Sequence, residues 1–290
     1  MKKFILSAFA DEAGSTLDRQ IRALKRNGFT HLEIRGVDGM SIGDVTGKKA
    51  SEIKARLSDE GISVLSIGSP FGKQQIFDDF GPHFDKFKHC LETAVILGAK
   101  YMRIFSFFMP HIPEEDAKNA DETHKYGMYF DEVINRLSGF IEEADKAGII
   151  LCHENEKGIY GDVAERCLQI HKALPELRAV FDPANFVQCG VETYSAWTML
   201  KPFVEYMHIK DAMPNGTVVA AGRGVGNVKR ILSEYTGEML TLEPHLAVFE
   251  GLAKLEQDRG AATVDGTVFG SKDEAFDFAA KTLKELLSTK

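Results

Sequence analysis

Apolar positions along the chain follow two alternating rhythms. A short β-rich run is followed by a Gly, Asn or Asp break and then by a stretch with helical spacing, which ends in Gly and an apolar residue before the next run. Eight runs read as strands: Phe4–Phe9, His31–Arg35, Ser63–Ile67, Tyr101–Phe105, Ile149–Glu154, Ala179–Asp182, Tyr206–Ile209 and Met239–Glu243. Between and after them lie amphipathic stretches at Ser15–Arg26, Lys48–Glu60, Pro82–Leu97, Asp121–Ala147, Asp162–Leu174, Glu192–Leu200, Val228–Tyr235 and Lys272–Leu287. Several end in the pairs Asn27-Gly28, Glu60-Gly61, Leu97-Gly98 and Ala147-Gly148, the left-handed helix stop. Strands alternating with helices imply a parallel sheet, and eight units are the number that closes a (β/α)8 TIM barrel, an α/β fold read here as one domain over residues 1–290.

An open doubly wound sheet is the alternative, but the first βα turn, Ala8 to Gly14, lacks the G-x-G-x-x-G that would hold a dinucleotide. Two connections are long: Ser106–Ala120, and Pro244–Gly270 with a helical piece at Ala247–Leu255. On a barrel such loops overhang the mouth, which makes them candidates for a lid or for contacts in a homo-oligomer.

Composition narrows the class. The 290 residues are 44% hydrophobic and 27% charged, and no segment approaches the ~18 uninterrupted apolar residues of a membrane span, so no membrane partner is expected. The start MKKFILSAFADEAG places Asp11 and Glu12 where a signal cleavage site would need small residues, so a cytoplasmic protein is expected. With 35 Lys and Arg against 43 Asp and Glu the net charge is −8 and no basic stripe is visible, which disfavours nucleic acid as a partner. Cys90, Cys152, Cys167 and Cys189 show no C-x-x-C spacing and read as reduced, buried thiols.

The candidate chemistry sits where the last four strands end: Glu154 in IILCHENE, Asp182 in AVFDPAN, His208 in YMHIKD and Glu243 in TLEPH. Residues at the C-terminal ends of barrel strands converge in one bowl. Three carboxylates brought together would raise one another's pKa unless a cation sat among them, which points to a divalent ion. Oxygen-rich ligation with one nitrogen favours Mn²⁺ or Mg²⁺, with Co²⁺, Fe²⁺ and Zn²⁺ as further candidates. The competing explanation is that acidic residues at strand ends cap the helices that follow.

The chain resembles the xylose isomerase-like TIM barrels of the sugar phosphate isomerase/epimerase family. The resemblance spans essentially the whole sequence and rests on HENE around Glu154, FDPAN around Asp182, HIKD around His208, the GRGVGN turn at Gly222–Asn227, and LEPH around Glu243. It implies that Glu154, Asp182, His208 and Glu243 bind one catalytic divalent ion and that Glu154 and Glu243 double as the proton-transferring pair. The implied substrate is a small carbohydrate or its phosphate, whose carbonyl and adjacent hydroxyl chelate the ion while a glutamate takes the neighbouring proton, through an enediolate. Return of the proton on the opposite face epimerises; return to the neighbouring carbon or oxygen isomerises. Ketose 3-epimerases of this superfamily carry a substrate-binding His three residues after the Asp and an Arg six after the His, where this chain has Asn185 and Pro214.

Neighbouring residues complete the expected site. Asn185 remains able to bind a hydroxyl, and Arg223 in the Gly-rich turn is a candidate for an anionic group. Lys210 shares strand parity with His208 and points to the bowl, Glu156 lies one pleat beyond Glu154, and Asp211 is read as a loop cap. Charges inside strands are costly when unpaired, so Arg103 and Glu33 are expected at the mouth as a pair, with Arg103 a candidate substrate ligand. His153 is expected to pack on the other strand face and His245 to support Glu243, while the other histidines, His171 among them, are read as surface or half-buried. Phe71, Phe105, Phe107 and Phe108 fall in rim segments and either wall a sugar pocket or pack in the core.

Three rival readings exist. Apurinic endonucleases of the superfamily hold three zinc ions with extra histidines on strands three and four, but here those strands end Ile67-Gly68-Ser69 and Phe105-Ser106-Phe107. An inosose dehydratase-type lyase would use the same metal and base. A non-catalytic sugar-binding barrel would keep the fold but has no need of all four acidic and imidazole groups.

Overall fold

The computed structural model describes residues 4–111, 125–247 and 269–288. Eight parallel strands form one sheet: β1 (Ile5–Ala8), β2 (His31–Ile34), β3 (Ser63–Gly68), β4 (Tyr101–Ile104), β5 (Ile150–Glu154), β6 (Arg178–Phe181), β7 (Val204–Ile209) and β8 (Met239–Leu242). Along the hydrogen bonds the order is β1-β8-β7-β6-β5-β4-β3-β2, so consecutive strands pair from β2 onward and β8 returns to β1. β1 and β2 lie side by side and nearly close the ring, although no ladder joins them among the described residues. This is the expected (β/α)8 architecture.

Outside the barrel lie α1 (Leu17–Arg26), α2 (Gly47–Asp59), α3 (Phe80–Leu97), α4 (Phe130–Ala147), α5 (Ala164–Ala173), α6 (Pro183–Gln188), α7 (Thr193–Leu200), α8 (Val228–Glu234) and α9 (Lys272–Ser288). The glycines expected to stop helices, Gly28, Gly61, Gly98 and Gly148, all have positive φ. α4 begins later than its periodicity suggests, because residues 127–129 form a 3₁₀ turn. Residues 121–124 of that expected helix, part of the first long connection, and the helical piece expected at Ala247–Leu255 beyond Ala247 lie outside the described residues. The short α6 was not expected at all; Asp182 and Pro183 supply its N-cap and first position.

Strand alternation sorts the core into two sets. Leu32, Ile34, Met102, Ile104, Leu151, Phe181, Met207, Ile209, Leu240 and Leu242 join the large cluster shared with the helices. Tyr101, Cys152, Val180, Tyr206 and Met239 form a second cluster inside the barrel. One pleat further along, the inward positions turn polar: Ser7, Glu33, Ser66, Arg103, Glu154, His208 and Thr241 are all buried. The barrel therefore has an apolar plug below and a polar bowl above. His171 departs from the sequence reading, being buried between helix and sheet, with Nδ1 3.0 Å from the Leu177 carbonyl and its ring stacked on Phe203.

Candidate active site

The quartet converges. One ligand atom from each of Glu154, Asp182, His208 and Glu243 lies within 4.8 Å of those of the other three, and all four side chains are buried. Glu154 is the last residue of β5 and His208 lies within β7, whereas Asp182 and Glu243 sit one residue past β6 and β8, a small correction to the strand ends read from sequence.

Each member of the quartet is aimed by a neighbour. Asp182 does two jobs: Oδ1 accepts from the Asn185 backbone N–H at 3.0 Å and caps α6, while Oδ2 faces the bowl. Capping thus uses one oxygen of this residue and leaves the other toward the bowl. Asn155 clamps the same corner, since Asp182 N donates to Asn155 Oδ1 at 3.0 Å and Asn155 Nδ2 donates to the Asp182 carbonyl at 2.9 Å. His208 places Nδ1 2.9 Å from Glu154 Oε1 and 3.5 Å from Glu243 Oε2, with Nε2 3.3 Å from Glu33 Oε2. Glu33 is held in turn by the Tyr206 hydroxyl at 2.9 Å and Ser66 Oγ at 3.3 Å. The carboxylate behind Nε2 leaves Nδ1 facing the bowl.

Cations of the chain surround the carboxylates. Arg103 Nη1 donates to Glu154 Oε2 at 2.5 Å; Lys210 Nζ lies 2.7 Å from Asp182 Oδ2 and 2.6 Å from Glu243 Oε2. Arg35 donates from Nη1 to Glu243 Oε1 at 3.0 Å, and grips Asp11 through Nε and Nη2, each at 3.0 Å. Glu12 adds a further oxygen 3.2 Å from Arg35 Nη2 and takes the His245 backbone N–H at 2.6 Å. His245 supports the Glu243 corner as expected and does so with φ of 47°, an uncommon backbone conformation for a non-glycine residue and one that recurs at functional sites.

Electrostatics follow from this crowding. Burial pushes the Asp182 carboxyl up to about 7, against the pull of Lys210 and with the push of Glu154 and Glu243. Burial would also raise Glu154, but His208 and Arg103 outweigh it and hold the group well below the usual carboxylate range. Glu243 is likewise held low against burial by Lys210, His245 and His208. Burial alone would lower His208, yet Glu154 and Glu33 lift it to about 10. Glu12 rises to about 8 through burial, which Arg35 only partly offsets.

The donors fit a divalent ion. Asp182 Oδ2 is buried, and although Lys210 Nζ is close by, it forms no hydrogen bond of good geometry. Three carboxylates and one imidazole present oxygen and nitrogen with no thiolate.

The site opens into a cavity of ≈ 960 Å³ whose walls include Arg35, Lys73, Arg103, Glu156, Asn185 and Glu243. Asn185 reaches Glu154 Oε1 from Nδ2 at 3.3 Å; Glu156 pairs with Lys73 at 2.8 Å. Phe9 lies alongside, its ring edge-on to His208 at 5.1 Å, and Gly68 leaves it room, since a Cβ there would lie 2.4 Å from Phe9 Cε1. Phe105 stacks on Arg103, whereas Phe71 and Phe107 pack in the core.

Two expectations do not hold. Arg103 and Glu33 form no pair: Arg103 turns to Glu154 and Glu33 to His208. Arg223 is not in the bowl; it is exposed, with its guanidinium 4.5 Å from the centre of the Phe278 ring. The Gly-rich turn acts through its backbone instead. The Gly222, Gly224 and Gly226 amides donate to the Asp211 carboxylate at 3.1, 3.0 and 2.8 Å, so Asp211 is the loop anchor. His153 packs outside the barrel against Ser106 Oγ at 2.9 Å, as its parity requires. Arg35, Glu12, Asn155 and Phe9 were not singled out from sequence, although Arg35 shares strand parity with Glu33 and Asn155 sits inside HENE.

Comparison with known proteins places the chain. No curated protein sequence matches it. Among solved structures, the IolI protein with a bound zinc atom superposes with a TM-score of 0.71 at 17% identity, covering 99% of this chain and 98% of that one. The 3-keto-D-glucoside 4-epimerase YcjR from E. coli gives 0.66 at 14% identity, covering 99% and 100%, and a D-psicose 3-epimerase from Clostridium cellulolyticum, solved with D-tagatose, gives 0.66 at 14%, covering 99% and 99%. At these identities the likeness speaks for the fold. The profile of one sequence family matches residues 21–257, most of the chain, and by that match the protein belongs to the xylose isomerase-like TIM barrel family.

Proposed function

We propose that the protein is a divalent-metal-dependent isomerase or epimerase of a small carbohydrate or its phosphate. The observation that carries the reading is the convergence of Glu154, Asp182, His208 and Glu243 from four successive strands into one buried cluster beside a cavity that Glu243 lines. A divalent ion held there, with Mn²⁺ or Mg²⁺ the best match to the donor set, supplies Lewis acidity toward a carbonyl and its neighbouring hydroxyl. The chain's residues do the rest. Glu154 is the group that removes a proton from carbon, and Arg103 and Asn185 fix the direction of its oxygens. Glu243 is the second proton-transfer group; Arg35 on its Oε1 fixes its orientation. Asn185 and Lys210 are placed to hold sugar hydroxyls, and the buried Phe9 ring excludes water beside His208. On this reading the protein works in the cytoplasm as a single-domain barrel.

The test is exchange in D₂O. Metal-loaded protein is incubated with ketoses, aldoses, inososes and their phosphates, and deuterium next to the carbonyl is followed by NMR. Exchange with product is expected, and the product separates epimerisation from isomerisation or dehydration. Glu154→Gln and Glu243→Gln should each abolish it; exchange that persists unchanged removes that residue from the proton-transfer pair. Tight sugar binding without exchange across the panel would replace the proposal with a binding protein.

A further inference from the structure

We infer that the substrate of this site carries a carboxylate close to the reacting carbon, and that Arg103 is the residue that reads it; the inference rests on the proton-transfer reading above. Arg103 lines the cavity with its side chain only 3% exposed. Its Nη1 is spent on Glu154 Oε2. Because Nη1 is the terminal nitrogen on the Cδ side, the Nε–H and one N–H of Nη2 run parallel along the opposite edge, the edge that receives both oxygens of a carboxylate. Nε and Nη2 are both buried, and neither has a hydrogen-bond acceptor among the described residues.

The chain displays the completed version of this edge elsewhere in the same bowl. Arg35 also gives Nη1 to a glutamate of the quartet, Glu243, and its Nε and Nη2 hold Asp11 at 3.0 Å each. Arg103 repeats the arrangement on Glu154 with no acid in the position of Asp11. Among the described residues the faces of the guanidinium meet aromatic carbon, with the centre of the Phe105 ring at 4.4 Å and that of Phe9 at 5.6 Å, and Glu33 and Glu243 act on its charge without hydrogen-bonding this edge, which leaves the edge to an acceptor that enters the cavity.

Shape and reach select among acceptors. Glu154, Glu243 and Glu33 all act on the Arg103 charge, so the selection lies in the edge itself: two parallel N–H groups match the two coplanar oxygens of a carboxylate, whereas a single hydroxyl oxygen fills only one of them. A tetrahedral phosphate needs further donors, and the aromatic walls supply none. An anion on this edge lies one guanidinium width from the base, which puts it beside the carbon that loses the proton. A sugar acid or a short hydroxy- or keto-acid fits this edge; a neutral sugar phosphorylated at its far end leaves it unfilled.

The experiment compares matched pairs on manganese-loaded protein by calorimetry: D-gluconate with D-glucitol, D-glucuronate with D-glucose, D-glycerate with glycerol, and D-glucose 6-phosphate as the phosphate arm. At least one acid should bind ten-fold or more tighter than its neutral partner, with the phosphate showing no such gain. Arg103→Lys, which keeps the charge but loses the two-pronged edge, should reduce that ratio below three-fold. A preference carried by the ion alone would survive Arg103→Lys and overturn the assignment. So would the absence in the unaltered protein of any acid favoured three-fold over its neutral partner, or a preference for the phosphate. The two proposals fail separately: deuterium exchange on neutral sugars without acid preference removes this one alone, and an Arg103-dependent acid preference without exchange on any sugar or acid removes the catalytic reading alone.

Discussion

Replacing Lys210 with Met probes the bowl's charge balance directly. In the structure the ammonium lies 2.6 Å from Glu243 Oε2 and 2.7 Å from Asp182 Oδ2, and the side chain is 3% exposed. Both carboxylates belong to the quartet, so a divalent ion and the ammonium compete for the same oxygens. Removing one partner of a buried ion pair costs about 3–5 kcal/mol, because the remaining charge is left uncompensated. Arg35 on Glu243 and the Asn185 amide on Asp182 stay in place, which puts the expectation at the lower end, about 3 kcal/mol. For a chain of this size the unfolding entropy is roughly 0.6 kcal/mol/K, so Lys210→Met in EDTA should melt about 5 °C below the unaltered protein. Saturating Mn²⁺ should erase most of that gap, since the ion supplies the missing positive charge, and the variant must then bind the ion more tightly than the unaltered protein. Calorimetric melts with EDTA and with Mn²⁺ decide it. Equal melting temperatures in EDTA, or equal stabilisation of both proteins by the ion, would refute the competition.

Three further outcomes follow from particular contacts. Glu33→Gln removes the carboxylate behind His208 Nε2 and should weaken Mn²⁺ binding about 10–100-fold in a titration; unchanged affinity would mean that Glu33 does not orient the imidazole. Gly224→Ala would put a Cβ 2.2 Å from the Ala212 carbonyl and 2.5 Å from Asp211 Oδ1, so the turn must open at a cost of about 1–3 kcal/mol, read as a lower melting temperature. His171 is held neutral, its pKa lowered from 6.5 to about 4 mainly by burial, so as pH falls the unfolded chain takes up the proton first. Its contribution is complete above pH 6.5 and drains between there and about pH 4, by about 3 kcal/mol; His171→Gln should flatten the stability profile in that window, and an unaltered slope would count against a neutral ring.

The quartet was legible because it obeys two local rules, strand parity and position at a strand end, which need no knowledge of which strands touch. The Arg35, Asp11 and Glu12 cluster was not, since its link to Glu243 runs between β2, the turn after β1 and the end of β8, and depends on the barrel closing. The misassigned pair of Arg103 and Glu33 has the same origin. Parity gave both the correct face, but register decides the neighbours, and β2 shifts register against β3 between Leu32 and Glu33. Arg223 was misread because a Gly-rich turn with one basic residue suggests an anion site, whereas here the backbone amides receive a carboxylate of the chain itself. Phe9 and Gly68 form a matched close approach, and nothing local in either segment announces the other.

The central claim is that the four strand-end groups hold one divalent ion. Equilibrium dialysis against Mn²⁺, followed by anomalous diffraction from a crystal grown with it, measures this directly. The account predicts one ion per chain, bonded to Glu154, Asp182, His208 and Glu243 and lost in Asp182→Asn. Absence of bound manganese at millimolar concentration, or an ion seated away from those four side chains, would contradict it.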